Sequence, residues 1–155
     1  MIKKPSTIIR FTALLVAVIL MIPTFGSSVT AEEVQPRASA YFSATGVRAY
    51  AQSGGKILFE TDINATHTMQ EVGVSEIAVF EKQSDGTWDE VYLFTMDEHP
   101  YLIETNSIGA CIDATYQGTV GKDYYAIIAC YARDSEGAEW LYGETPTVTA
   151  KLIVW

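Results

Sequence analysis

Residues 121–133 read GKDYYAIIACYAR, and this stretch indicates the fold more clearly than any other. Every second residue from Tyr124 to Cys130 is aromatic, small or branched, which is typical of a strand with one buried face. Gly121 stands just before the run and allows the chain to turn there. We therefore expect Tyr124 to open a strand and to pack its ring inward.

Six further runs rich in Val, Ile, Thr, Tyr and Phe are separated by turn residues. The predicted strands span residues 38–52, 56–66, 74–83, 87–96, 108–116, 122–133 and 146–154. Ser84-Asp85-Gly86 predicts a hairpin, because Asp-Gly tolerates positive φ at both turn positions. Pro100 argues against a central strand in residues 97–107. Seven short strands predict an all-β antiparallel sandwich rather than an α/β fold.

The position of Tyr124 after a glycine turn is similar to the tyrosine corner of immunoglobulin-like and fibronectin type III-like domains. In that corner the phenol bonds back to the backbone while the ring packs inward. The core is expected to include Ile57, Phe59, Val79, Trp88, Tyr124, Ala126 and Ile128.

Residues 1–31 have the order of regions of a secretory signal peptide. Lys3, Lys4 and Arg10 are positive, an apolar run follows, and Val29-Thr30-Ala31 offers small residues for cleavage. The apolar run is about twelve residues, whereas a membrane-spanning helix needs about twenty. We therefore predict a secreted, extracellular protein without stable membrane association after cleavage.

This reading divides the chain into a signal peptide over 1–31, a short linker over 32–37 and one β-sandwich domain over 38–155. The full chain has 10 Lys and Arg against 19 Asp and Glu, a net charge of -9. Cleavage would remove three positive charges and no negative ones, leaving the mature domain still more acidic. Such a charge disfavours nucleic acids and anionic lipids as partners and favours a soluble monomer.

Three stretches carry a resemblance to known proteins: SDGTW at 84–88, TYQGTVGK at 115–122 and the tyrosine pair at 124–125. With these the chain resembles a family of small exported bacterial proteins of unknown function, common in Gram-positive gut bacteria. The resemblance covers roughly residues 37–152. It implies export and one β-sandwich domain, and it implies no catalytic residue.

Two cysteines follow the predicted export signal, and thiols in oxidising surroundings tend to pair. If the chain folds back about the 117–122 turn, Cys111 and Cys130 lie opposite each other. The alternation of inward and outward residues favours two unpaired thiols instead, since it places Cys130 inward beside Ile128 and Cys111 outward. We predict the disulfide, as a structural crosslink without a redox role.

A nucleophilic triad would need a base, and the chain has only two histidines, His67 and His99. Neither lies near a Gly-x-Ser-x-Gly sequence, so both are expected to be surface or turn residues. Loop carboxylates suit calcium better than acid–base catalysis, because hard oxygen ligands suffice for that ion. Calcium is the one cofactor suggested, and ordinary solvated loops are the alternative. The candidate ligands are Asp97, Glu98, Asp134 and Glu136.

Aromatic residues suggest a binding surface. Alternation places Trp88, Tyr92 and Phe94 on one face of the fourth run, and Tyr125 and Tyr131 on the outward face of the sixth. Adjacent strands would join them into an exposed strip, and flat rings bind sugars or apolar protein surfaces.

The leading functional hypothesis is therefore a secreted, non-catalytic binding module for an extracellular protein or glycan. The alternative is a small secreted enzyme or enzyme inhibitor that acts through its loops. A structural or colonisation protein without a small-molecule ligand is the third hypothesis, which an exposed apolar edge strand would favour.

Overall fold

The computed structural model describes residues 39–153, so the predicted signal peptide and linker lie outside the described part of the chain. The strands are β1 (Phe42–Ala51), β2 (Lys56–Lys82), β3 (Trp88–Thr95), β4 (Ile103–Gln117), β5 (Asp123–Arg133), β6 (Ala138–Glu144) and β7 (Val148–Thr149). Two short 3₁₀ helices lie at Ser53–Gly55 and Pro100–Leu102. Within residues 39–153, no helix has the length and apolar character needed to cross a membrane.

Strand β2 is 27 residues long and is hydrogen-bonded along both edges. Its first part, residues 57–65, pairs with β1 on one edge and with β4 on the other. Its last part, residues 71–81, pairs with β5 on one edge. On the other edge, β4 pairs with β2 as far as Gly73, and β3 pairs with β2 from Glu76 onward. Strands β6 and β7 both pair with the far edge of β5. All seven strands therefore belong to one antiparallel sheet in which β2 has most of the partners.

The sheet curls so that β1 contacts β5, β6 and β7. The N–H groups of Gly54 and Gly55 donate to the carbonyls of Leu152 and Lys151, each over 2.8 Å, and hold the C-terminal segment against the β1–β2 connection. Burial of the apolar side chains on the inner, concave face is the main favourable term for folding. Both parts of β2 contribute fully buried side chains to this core: Ile57, Phe59, Val72, Val74, Ile77 and Val79.

Gly73 lies where β2 has partners on both edges, Ile103 on β4 and Tyr131 on β5. A Cβ at this position would lie 2.0 Å from the carbonyl oxygen of Leu102. Only glycine fits such an approach of backbone to backbone, so residue 73 allows the β4 end to lie close against β2.

The prediction of an all-β fold with about seven antiparallel strands is confirmed, but the division of the chain into strands differs from the predicted one. The predicted strands 56–66 and 74–83 are one continuous strand, because β4 and β5 keep the intervening residues extended. Strand β4 begins at Ile103, directly after the 3₁₀ turn that contains Pro100, and β6 was not predicted. The strands form one curled sheet, and the immunoglobulin-like arrangement of a sandwich stays a prediction.

Tyr124 forms the predicted corner. It is fully buried, and its hydroxyl accepts a hydrogen bond from the N–H of Thr119 over 2.8 Å and donates to the carboxylate of Glu81. Burial raises the pKa of Tyr124, and the bond from the phenol is the largest cause lowering the pKa of Glu81. Gly118 leaves room for the ring, since a Cβ there would lie 2.9 Å from it. The residue therefore connects the β4–β5 turn to the end of β2.

Of the seven predicted core residues, all except Trp88 are buried. Trp88 is half-buried on the opposite face of the sheet, because a β-bulge in β3 shifts the alternation of that strand.

The predicted Cys111–Cys130 disulfide is wrong, because both thiols are free. The prediction assumed that β4 and β5 pair with each other, whereas they lie along opposite edges of β2. Cys111 is exposed opposite Asp62, and a hydrogen bond to that carboxylate raises its pKa. Burial raises the pKa of Cys130 to about 11. Neither thiol is therefore a ready thiolate nucleophile.

Replacing Tyr124 with Ala should lower the free energy of unfolding by about 3 kcal/mol or more, the usual range for a buried aromatic ring. Tyr124→Phe keeps the ring but leaves the Thr119 N–H without its acceptor and removes the phenol from Glu81, which retains its ion pair with Lys122. We therefore expect a loss of about 1 kcal/mol. Urea unfolding of the three proteins measures both losses. A loss below about 1 kcal/mol for Tyr124→Ala would exclude the corner as a stabilising contact.

Candidate functional site

The outward face of β5 carries Tyr125 and Tyr131, as predicted, since the residues that alternate with them belong to the core. The two tyrosines differ in exposure. Tyr125 is half-buried, whereas Tyr131 is only 5% exposed. The neighbouring strands explain this difference.

A β-bulge in β3 separates the three aromatic residues that were predicted to share a face. Val79 pairs with Tyr92, but Phe80 pairs with Glu90, so Val91 is an extra residue. Directly paired residues lie on the same face of a sheet. Tyr92 and Phe94 therefore lie on the inner face, where Phe94 is buried. Trp88 lies outward, and this part of the prediction is wrong.

Trp88 joins an aromatic cluster on the outward face. The rings of Phe80 and Tyr125 are stacked, with centroids 4.9 Å apart, and the Trp88 ring meets Tyr125 edge-on at 4.7 Å. The ammonium of Lys82 lies 5.9 Å from the centre of the Trp88 ring, within the range of a cation–π interaction. The protein therefore already places a cation over one of its outward rings.

A second aromatic cluster lies at the other end of the same face. Trp140 on β6 pairs with Tyr131, and their ring centroids are 5.2 Å apart. This contact explains the burial of Tyr131. Trp140 itself is 49% exposed and Tyr142, two residues further along, is 68% exposed. The alternation of Trp140, Tyr142 and Glu144 was the available sequence signal for this edge strand.

Apolar side chains connect the two clusters. Ala78 on β2 pairs with both Leu93 on β3 and Ile127 on β5, which places all three in one row on the outward face. Tyr125 and Tyr131 are six residues apart, which corresponds to about 20 Å along a strand. We call this surface the outer aromatic face; it consists of Phe80, Trp88, Tyr125, Tyr131, Trp140 and Tyr142.

A cavity of about 320 Å³ opens on the outer aromatic face beside Trp140. Its lining residues are Ser75, Glu76, Thr95, Met96, Asp97, Trp140 and Tyr142. A β-bulge contributes to this opening, because Val74 pairs with Cys130 and Glu76 with Ala129, leaving Ser75 as an extra residue. The Ser75 hydroxyl donates to the carbonyl of Ala129 over 3.2 Å.

A neighbouring cavity of about 300 Å³ shares Met96 and Asp97 with the first. Its other lining residues are Glu71, Pro100, Ile103 and Thr105. Glu71 is occupied by a bidentate ion pair with Arg133, with N···O distances of 2.8 and 3.0 Å, and this pair is the largest cause lowering its pKa.

The four predicted calcium ligands do not come together. Asp97 and Glu98 lie in the β3–β4 connection, whereas Asp134 and Glu136 lie in the β5–β6 turn. Among residues 39–153, no group of three or more His, Cys, Asp or Glu side chains could hold a metal ion. Asp134 instead accepts hydrogen bonds from the backbone N–H groups of Glu136 and Gly137, so its carboxylate stabilises the turn.

Both ring nitrogens of His67 lie within hydrogen-bonding distance of a polar side chain. Its Nε2 lies 2.9 Å from Asp134, and its Nδ1 lies 3.0 Å from the hydroxyl of Thr66. The order hydroxyl, imidazole, carboxylate is that of a nucleophilic triad. The Thr66 hydroxyl, however, donates its hydrogen to the carbonyl of Ala40 over 2.7 Å, so that hydrogen is not available to His67 acting as a base. The contact therefore joins β2 to the β5–β6 turn and the N-terminal segment.

His99 lies among aromatic rings in the β3–β4 connection. Its ring centroid is 5.2 Å from that of Phe94 and 5.7 Å from that of Tyr101, and its Nε2 is buried without a hydrogen-bond partner. Neither histidine lines either of the two cavities.

The bond to His67 is the largest cause lowering the pKa of Asp134, to about 2 from its ordinary value of 3.8. A carboxyl whose folded-state pKa is depressed stabilises the fold above its unfolded pKa, and this contribution disappears as the pH falls through the folded value. The Asp134→Asn variant has no carboxyl at this position and therefore lacks this stabilising contribution at every pH. The difference in melting temperature between wild type and Asp134→Asn should therefore shrink between pH 5 and pH 2. Thermal unfolding followed by circular dichroism measures this, and a constant difference would contradict it.

The chain matches no protein-family model and no curated protein. The resemblance to small exported bacterial proteins therefore stays a prediction.

Proposed function

We propose that the protein is an extracellular, non-catalytic binding module whose outer aromatic face contacts a glycan or an extracellular protein. The observation that carries this proposal is the exposure of Trp140 and Tyr142 on a face that the core does not use. Aromatic rings offer large contact areas at a small cost in conformational entropy, and exposed apolar patches often mark binding sites. The predicted export signal supports an extracellular location.

The enzyme alternative has less support. It needs a nucleophile or an acid–base pair inside a cleft. The His67–Asp134 pair lines neither cavity, and the pKa values of both cysteines are raised. An enzyme inhibitor that acts through its loops needs no catalytic group, and inhibition of this kind is itself a binding function.

A self-associating structural protein is the third alternative, and one observation favours it. Strand β6 lies at the edge of the sheet and exposes Trp140, Leu141 and Tyr142. Its two ends carry Glu139 and Glu144, however, and charges at an edge oppose pairing between copies. We therefore keep the monomeric binding module as the proposal.

The test is a binding screen of the purified protein against soluble oligosaccharides, insoluble polysaccharides and purified extracellular matrix proteins. We expect at least one member to bind. Replacing both Trp88 and Trp140 with Ala should then weaken binding at least tenfold, because aromatic anchors dominate such interfaces. Tyr50→Ala is the matched control, since Tyr50 is 46% exposed on β1 and lies outside the outer aromatic face.

Two results would overturn the proposal. The first is no binding to any member of the panel. The second is binding that the double variant retains or that Tyr50→Ala reduces to the same extent. Release of a reaction product from a bound member would favour the enzyme alternative instead.

A further inference from the structure

The cavity beside Trp140 is lined by both aromatic and acidic side chains. Trp140 and Tyr142 contribute exposed aromatic rings, and Glu76 and Asp97 contribute carboxylates. Ring faces carry negative electrostatic potential and attract cations, as carboxylates do. All four groups therefore favour a positive charge in the same space.

The carboxylates of Glu76 and Asp97 have no partner within the described residues. Neither takes part in any hydrogen bond or ion pair of a side chain there, whereas the neighbouring Glu71 is neutralised by Arg133. Among residues 39–153, no Lys, Arg or His lines this cavity. At the other end of the outer aromatic face, Lys82 supplies the cation over Trp88. Trp140 also contacts a tyrosine ring, that of Tyr131, but no cation from the described part of the chain lies over it.

The strand register places two of the residues that line the cavity, Glu76 and Tyr142, on the same face of the sheet. Ala129 pairs with Glu76 on one side and with Tyr142 on the other, so these three residues form one row across the sheet. Two strand spacings separate Glu76 from Tyr142, about 10 Å between their Cα atoms. Ala129 between them is only 3% exposed, and Trp140 and Asp97 also line the cavity. A volume of about 320 Å³ lies at the lower end of the range for small-molecule sites.

We propose that this cavity binds an alkylammonium group carried by the ligand, held between the rings of Trp140 and Tyr142 and the carboxylates of Glu76 and Asp97. This inference rests on the proposed binding function and specifies its ligand chemistry. Anionic ligands are repelled by the two carboxylates and by the net charge of -9. A purely apolar ligand would desolvate both carboxylates without compensation. The ammonium group belongs either to a quaternary amine such as choline or to a lysine side chain.

The test is an NMR titration of the ¹⁵N-labelled protein that follows the indole N–H of Trp140. Choline is compared with 3,3-dimethylbutan-1-ol, a neutral molecule of nearly the same shape, and Nα-acetyl-lysine amide represents the lysine source. We expect at least one of the two cations to bind at least tenfold more tightly than the neutral analogue, and the stronger of them identifies the source.

Variants test the residues. Glu76→Gln should weaken binding of the cation about tenfold, and Tyr142→Ala should weaken it to a similar extent. Both side chains are exposed, so neither change threatens folding. Asp113→Asn is the control, because it removes the same charge from an exposed position on β4 where the strand pairs with the first part of β2.

The proposal would be overturned if neither choline nor Nα-acetyl-lysine amide bound more tightly than the neutral analogue, or if Asp113→Asn weakened binding as much as Glu76→Gln. No movement of the Trp140 signal with either cation would also overturn it. If the screen above still found a ligand that depends on Trp88 and Trp140, the binding function would stand and only the ammonium site would fail. A response of Trp140 to neutral sugars alone would identify a saccharide site instead.

Discussion

The structure depends on one strand that is hydrogen-bonded along both edges. Strand β2 runs for 27 residues and pairs with four of the other strands. Because β1 pairs with its first part and β5 with its last part on the same edge, the sheet can curl about β2 and close over its own inner face. Backbone hydrogen bonds cannot be left unmade in the interior, so this pairing also settles which residues are buried.

The same pairing determines what is displayed outward. The extra residues Ser75 and Val91 interrupt the alternation of β2 and β3, and each changes the face on which the following residues lie. The bulge at Val91 separates Trp88 from Tyr92 and Phe94 and moves it to the outer aromatic face. The bulge at Ser75 borders the cavity beside Trp140. Two local irregularities therefore shape the surface on which the proposed function depends.

Alternation and turn residues were sufficient to predict the all-β class, the Asp85-Gly86 hairpin and the corner at Tyr124. They could not predict that residues 67–73 remain in a strand, since this polar and glycine-containing segment is kept extended by pairing of Met69 and residues 71–73 with β4 and of residues 71–73 with β5. The positions of the β-bulges also depend on which strands pair and in which register. The bulge at Val91 decides on which face of the sheet Trp88 and Tyr92 lie. The disulfide failed for the same reason, because the chain order of β4 and β5 does not show that β2 lies between them.

Pairing along both edges of β2 should make its two parts members of one cooperative sheet. Hydrogen exchange of the backbone amides of Phe59, in the first part, and Ile77, in the last part, tests this cooperativity. If the sheet opens as a unit, both amides should exchange only through global unfolding, with the same opening free energy and the same dependence on low concentrations of urea. An amide in one part that exchanges through local opening at a much lower free energy than the other would contradict it.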